Sequence, residues 1–215
     1  IGLYNINIDM IFALPGQTMV DLLNDLNIVN KLPIPHLSYY SLILEENTVL
    51  AKNPFTKDEE LEAHMYNIII DSLTENGFNH YEVSNFYKDN SQSLHNMIYW
   101  TNEEYHAIGA GAHGFYDHNR YSYTRNISEY ILNPVKETTI QTEHMNYQDT
   151  LIFGLRMISG INLDKVLERF NRDPLKDFPK IEIFIKDGLL EIVDNHLRAT
   201  RKGLMFLNQI EVIFI

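Results

Sequence analysis

Apolar residues in the first part of the chain follow two different spacings. Residues 5–14 and 36–44 are short runs crowded with aliphatic and aromatic side chains, and such runs are typical of strands. Residues 19–31 and 57–76 carry their apolar side chains at helical spacing, and Thr18 stands where it can cap the first helix. The pattern predicts strand, helix, strand and helix in this order.

Two further strands are predicted at residues 80–86 and 108–115. Strands that alternate with helices are typical of a parallel sheet with helices packed outside it. The fold class predicted for residues 1–140 is therefore α/β, with this region supplying part of a barrel.

After residue 140 the pattern changes to short helices, which are followed by two short strands about an Asp194-Asn195 turn and by a last helix from Lys202. The three helices are predicted at residues 146–158, 163–170 and 178–187. Three helices and a hairpin are typical of an α+β, winged-helix-like module. We therefore expect a second domain over residues 141–215.

Charge limits the kind of partner that the chain can have. Its 215 residues include 29 acidic and 17 basic side chains, a net charge of −12. This excess opposes binding to a phosphate backbone, so no nucleic acid is expected as a partner, even for a winged-helix-like module. No apolar run approaches the roughly 18 residues of a membrane span, and no signal-peptide pattern opens the chain, which favours the cytoplasm.

The chain contains no cysteine. Disulfides, zinc–thiolate sites and cysteine-ligated iron–sulfur clusters are therefore excluded within it. It also begins directly on an apolar strand pattern without an initiating methionine, which predicts that it starts inside a larger domain.

The segment from Ser93 to Gly114 is the richest in candidate chemistry. His95, Asn96, Tyr99 and Trp100 precede a glycine-rich run that contains His113. Polar aromatic groups beside backbone that a ligand can approach closely predict a site for a large planar or phosphate-like molecule. A neutral imidazole can ligate haem iron, and flanking aromatic rings can stack on a porphyrin. The alternative is a surface cap in which Trp100 anchors the segment.

Two candidates remain open on the residues alone. Asp9 lies among apolar neighbours in the first strand, where an acid can hold ribose hydroxyls or an amine, or can be a buried acid with a structural partner. His113 is either a site residue or a buried, hydrogen-bonded histidine. The other histidines show no metal-ligand spacing and are interpreted as solvated or structural.

Five segments together resemble a known family. They are NIDMIFALPGQT, HLSYYSLILEENT, HYEVSNF, HNMIYW and GAGAHG. They are similar to the later part of the oxygen-independent coproporphyrinogen III oxidase family of radical S-adenosylmethionine (SAM) proteins, and the resemblance covers essentially the whole chain. Within that family an H-N-x-x-Y-W motif marks the HemW branch rather than the HemN branch, and residues 95–100 fill it without a mismatch.

The resemblance implies a partial, TIM-like (β/α)6 radical SAM barrel with a C-terminal domain, and a [4Fe–4S] cluster that binds SAM. Asp9 falls on a SAM-contact position and Ile43 on a weaker one. His95 falls on the position of the haem-iron ligand, within a haem-binding set completed by Asn96, Tyr99 and Trp100. The implied role is a haem chaperone that delivers haem to membrane haem proteins.

The family's cluster loop has no counterpart in this chain and is expected to precede Ile1, so the chain resembles a fragment that is inactive alone. Two alternatives remain. One is the oxidase, which would convert coproporphyrinogen III to protoporphyrinogen IX by oxidative decarboxylation. The other is a non-catalytic interaction module, a homodimer paired through the exposed strand edge at Asn5–Phe12.

Overall fold

A computed structural model describes residues 2–45, 48–52 and 55–215 of the chain. Two units separate between Ser93 and Leu94. The predicted boundary at 140/141 stays a prediction. The first unit contains β1 (Asn7–Phe12), α1 (Met19–Val29), β2 (His36–Ser41), α2 (Glu59–Glu75), β3 (Asn79–Glu82) and β4 (Asn85–Tyr87).

The β1–α1–β2 segment forms as its pattern predicts. Thr18 caps α1, because its side chain accepts from Asp21 N–H while the Asp21 carboxylate accepts from Thr18 N–H. The helix returns the chain so that β2 pairs parallel to β1, from Asn7 opposite His36 to Phe12 opposite Ser41.

The core of the first unit lies on one face of this sheet. Phe12 meets Tyr39 edge-on at 5.7 Å between ring centroids and stacks on Tyr66 of α2 at 6.3 Å. Leu37 and Phe86 are fully buried in the same core. Each such side chain contributes roughly 1.5–3 kcal/mol by leaving water. The opposite face of β1 and β2 is mainly polar where the two strands begin.

The prediction of a single strand at residues 80–86 is wrong, because the chain reverses direction within this segment and forms two strands. The Glu82 carboxylate accepts from Ser84 N–H and from the Asn85 amide, which holds a tight turn between β3 and β4. β4 then pairs antiparallel with β2, and the strand order is β1-β2-β4-β3. The sheet is therefore parallel only between β1 and β2.

The second unit begins with α3 (Leu94–Trp100). It continues with β5 (His113–Tyr116), β6 (Asn119–Tyr123), α4 (Ile127–Leu132), β7 (Val135–Ile140), α5 (Glu143–Gly154), β8 (Ile161–Asn162), α6 (Leu163–Phe170), α7 (Pro174–Asp177), α8 (Ile181–Lys186), β9 (Leu190–Val193), β10 (His196–Ala199), α9 (Arg201–Leu204) and α10 (Leu207–Glu211). A 3-10 turn (Val212–Phe214) follows.

The strand predicted at residues 108–115 begins later and pairs differently. β5 is antiparallel to β6, which is antiparallel to β7, and these three make a separate sheet. They do not extend the parallel sheet, since the two-residue turn between β5 and β6 can only join antiparallel neighbours.

The C-terminal pattern is confirmed in outline. α6 spans Leu163–Phe170 as predicted, and β9 and β10 are joined at Asp194-Asn195, both with positive φ (48° and 60°) as this hairpin turn requires. β8 adds a third strand next to β10. Within the described part of the chain, no helix is both long and apolar enough to cross a membrane.

Candidate functional site

In the first unit, Asp9 stands on the polar face of the sheet and its side chain is exposed. Asn7 precedes it on the same face, and the Asn7 amide nitrogen donates to Asp9 Oδ1 at 2.6 Å. Ser38 lies opposite Asp9 in register, and Asn7 also donates to its hydroxyl at 3.1 Å. The carboxylate is thus held through one oxygen by its own strand.

A directional chain of hydrogen bonds lies behind Asp9. Asn7 Oδ1 is an acceptor, so the nitrogen at 2.7 Å from it, His36 Nδ1, must carry a proton. His36 Nε2 then accepts from Tyr81 O–H at 2.8 Å. Burial lowers the pKa of His36, against the smaller opposing effect of the Asp9 charge. The ring is therefore neutral and fixed in one tautomer.

His36 and Tyr81 are not among the site residues that the sequence predicts. His36 is buried, as a structural histidine would be. Its side chain nevertheless bonds directly to Asn7, the residue that holds Asp9. The signal in the sequence is alternation, because Asn7 and Asp9 share a face with His36 and Ser38 once the strands pair in this register.

Ile43 lies two residues past the end of β2 with 76% of its surface exposed. Leu42 N–H donates to the Phe12 carbonyl at 2.9 Å, so this loop leaves from the carboxyl end of both parallel strands. Lys57 holds its start by donating to Ser41 Oγ at 2.9 Å and to the Leu42 carbonyl at 3.0 Å. An exposed apolar side chain on an anchored loop can contact a ligand at this edge of the sheet.

In the second unit, α3 carries His95 and Tyr99 on one side. His95 is exposed, and its Nε2 lies 2.8 Å from the Tyr99 hydroxyl. Tyr99 packs edge-on against Tyr105 at 4.5 Å between centroids. Residues one turn apart differ by about 40° around a helix, which explains why this imidazole and this phenol meet.

Trp100 lies on a different side of the helix. Five residues after His95 it is rotated by about 140°, and the Arg156 guanidinium lies over its ring at 4.8 Å. Its indole N–H is buried without an acceptor among the residues that the structure describes. The predicted set of four is therefore divided: His95 and Tyr99 form a pair, and Trp100 belongs to another environment.

Asn96 is half-buried, as are Tyr99 and Trp100. It precedes Trp100 by four positions, so it lies nearer to the indole side of α3 than to the imidazole side. Its predicted role toward haem stays a prediction.

The end of α3 is fixed by a polar network. Buried Asn102 donates to Asn146 Oδ1 at 2.6 Å and accepts from Arg120 at 2.7 Å. Arg120 also pairs with Asp149 of α5 at 2.8 Å. Arg169 of α6 donates to the Asn102 carbonyl at 3.1 Å, and burial lowers the pKa of its guanidinium. The side chains of α3 are thus presented by a rigid support.

Trp100 lines a cavity of about 380 Å³ between α3, α5, β8 and α6. Its wall is apolar at Met97, Met157 and Phe170 and basic at Lys165. Such a mixture is typical of a site for a small organic molecule. No sequence pattern indicates this cavity, since its lining residues come from separate segments.

His113 opens β5 and is exposed, so the interpretation as a buried histidine is wrong. It lines a second cavity of about 260 Å³ with Tyr105, Arg120 and Tyr121. Gly114 lets the Tyr121 ring lie close to the backbone there, because a Cβ at this position would overlap the end of the ring and displace it. Across the described ranges, no group of three histidine, cysteine, aspartate or glutamate side chains could hold a metal ion.

Comparison with known proteins gives three kinds of similarity. Residues 142–206 match the family model of the HemN C-terminal domain. The chain is 39% identical over 219 residues to the "Heme chaperone HemW" of Lactococcus lactis subsp. lactis (strain IL1403), which covers 97% of this chain and 58% of that protein. It is 32% identical over 228 residues to the "Heme chaperone HemW" of Bacillus subtilis (strain 168), covering 100% of this chain and 60% of that protein.

Among solved structures, the coproporphyrinogen III oxidase (HemN) of Escherichia coli, described as a radical SAM enzyme, matches with a TM-score of 0.77. The two are 15% identical, and the match covers 97% of this chain and 54% of that one. This similarity shows the α/β fold. The chain spans between 58% and 60% of the length of the two curated relatives.

Proposed function

Because the chain belongs to the HemW/HemN-like family, we propose that it forms the haem-binding and SAM-contacting part of a haem chaperone. The observation that carries the proposal is the exposed imidazole of His95, held by Tyr99 on a helix with a fixed end. Haem is the cargo in this proposal. The recipients would be membrane haem proteins.

His95 offers one nitrogen to a metal without rearrangement. Its Nε2 is engaged with the Tyr99 hydroxyl at 2.8 Å, whereas no residue within the described ranges bonds to Nδ1. If Nδ1 binds the iron, Nε2 carries the proton and donates it to Tyr99, as the second nitrogen of a metal-bound histidine usually does. Tyr99 and the adjacent Tyr105 ring supply aromatic surface beside the imidazole.

We expect Tyr99→Phe to weaken hemin binding by roughly tenfold, because loss of an orienting hydrogen bond to a metal ligand costs about 10- to 100-fold in affinity. Hemin would be titrated into the chain and followed by its Soret band. Tyr116→Phe, at an exposed tyrosine on β5, serves as the control. Unchanged affinity in Tyr99→Phe would contradict the supporting role, and tighter binding would mean that Nε2 is the iron ligand.

Asp9 and Ile43 are the residues proposed to contact SAM. A carboxylate with one oxygen held by Asn7 keeps its second oxygen for a ligand amine or for ribose hydroxyls. Ile43 lies exposed at the carboxyl end of the same two strands, where ligands of α/β sheets bind.

Titration with SAM is expected to shift backbone amide NMR signals around Asp9 and Ile43. Asp9→Asn should weaken this binding by about tenfold, since a hydrogen bond to a charged group is worth roughly 1.5–3 kcal/mol. Glu75→Gln, a change at an exposed acid at the end of α2, is the control. Equal shifts in Asp9→Asn and in the unsubstituted chain would remove Asp9 from the site.

The residues of this chain do not fit a [4Fe–4S] cluster, because the family's cysteine ligands have no counterpart in its sequence. These residues therefore do not supply the ligands of such a cluster. The oxidase and the homodimeric interaction module stay predictions.

A further inference from the structure

The cavity between α3, α5, β8 and α6 has no part in the proposed haem or SAM contacts. It measures about 380 Å³, within the range of small-molecule sites. Trp100 lines it, and His95 lies about 140° away around α3, so a planar ligand on His95 would occupy another side of the helix. An occupant of the cavity would therefore be a different molecule from that ligand.

The apolar wall favours an aromatic or alkyl body. Met97 and Met157 are flexible and adapt to irregular apolar ligands. Trp100 and Phe170 add flat surface to the same wall. An elongated apolar group can therefore be accommodated there.

The imidazole of His196 also lines the cavity. His196 donates from Nδ1 to the Asp194 carbonyl at 2.8 Å, which leaves its Nε2 to accept from the Asn162 amide at 3.3 Å. Both ring nitrogens of His196 are thus engaged within the protein. Other side chains that line the cavity are charged.

Those charged side chains favour an anionic head group. Lys165 and Arg169 lie one turn apart on α6, and both line the cavity. Arg169 already donates to the carbonyls of Thr101 and Asn102, and the charge of Glu103, which also lines the cavity, acts on its guanidinium. Lys165 is exposed and takes part in none of the ion pairs found within the part of the chain that the structure describes, so its ammonium is the group left to meet a ligand.

We propose that this cavity binds a small amphiphilic carboxylate, with its apolar body against Trp100 and Met157 and its carboxylate at Lys165. This site is separate from the haem site proposed above. It does not depend on His95.

Trp100 makes the proposal directly testable, because it is the single tryptophan of the chain. Decanoate is expected to change the tryptophan emission saturably, whereas decyltrimethylammonium, with a similar tail and the opposite charge, should not. Lys165→Gln should weaken decanoate binding by about fivefold, the effect of losing one partly exposed ion pair. Lys180→Gln, at an exposed lysine outside the cavity, is the matched control.

A second variant tests the cavity by filling it. Ser159 is an exposed lining residue, and Ser159→Phe should abolish the saturable response while leaving the unfolding midpoint unchanged. Four results would overturn the proposal: a response that never saturates, an equal response to the cationic amphiphile, unchanged affinity in Lys165→Gln, or unchanged affinity in a folded Ser159→Phe. His95→Ala should keep its decanoate response, so failure of the haem proposal and failure of this one are distinguishable.

Discussion

Replacing His95 with alanine is expected to lower the affinity of the chain for hemin by more than about a hundredfold. Loss of a hydrogen bond that supports a metal ligand lowers the affinity for the metal by about 10- to 100-fold. Loss of the ligand itself should lower this affinity further. The Soret band of the remaining complex should also shift, because the iron would lose its imidazole ligand. Hemin titration followed by absorbance measures both effects.

The control for this prediction is His106→Ala. His106 is also exposed in the second unit, and it packs beside Tyr116 rather than on α3. Its replacement should leave affinity and spectrum unchanged. Indistinguishable titrations of His95→Ala and the unsubstituted chain would remove His95 from the role of iron ligand.

Replacing Gly203 with alanine is expected to cost about 3 kcal/mol of the free energy of unfolding, at the upper end of what overpacking usually costs. A Cβ on Gly203 would overlap the Leu189 carbonyl group and would lie 2.8 Å from its carbon. The oxygen of this group accepts from Thr200 N–H at 2.9 Å, so it cannot move without loosening the chain on both sides of the β9–β10 hairpin. The contact is with backbone, which has no rotamer to change.

Chemical denaturation of the two proteins measures this loss. Gln209→Ala, at an exposed position of α10, is the control and should change stability by no more than about 0.5 kcal/mol. A Gly203→Ala protein as stable as its parent would mean that the close approach of α9 to Leu189 is not required by the fold.

Local patterns correctly predict the elements whose structure depends on nearby residues. Thr18 caps α1 through a residue three positions away, and the Asp194-Asn195 turn joins strands that are adjacent in the chain. The H-N-x-x-Y-W spacing also places His95 and Tyr99 one helical turn apart, where their side chains do meet.

The pairing of strands is harder to predict from the sequence than these local elements are. The strand predicted at 80–86 is a hairpin, because a turn held by the Glu82 carboxylate interrupts it. The segment ending at Phe115 pairs with β6 in its own sheet rather than with β2. An apolar run shows that a strand is buried and does not show its partner.

Residue order alone was enough to establish the succession of β1, α1, β2 and α2, the acidic charge, the lack of cysteine and the residues that carry the family resemblance. Two arrangements became visible only in the folded chain: His36 stands behind Asn7 and Asp9, and separate segments enclose a cavity. The physical reason is distance along the chain. Spacing fixes contacts within a turn or a hairpin, whereas these arrangements depend on packing between residues far apart in sequence.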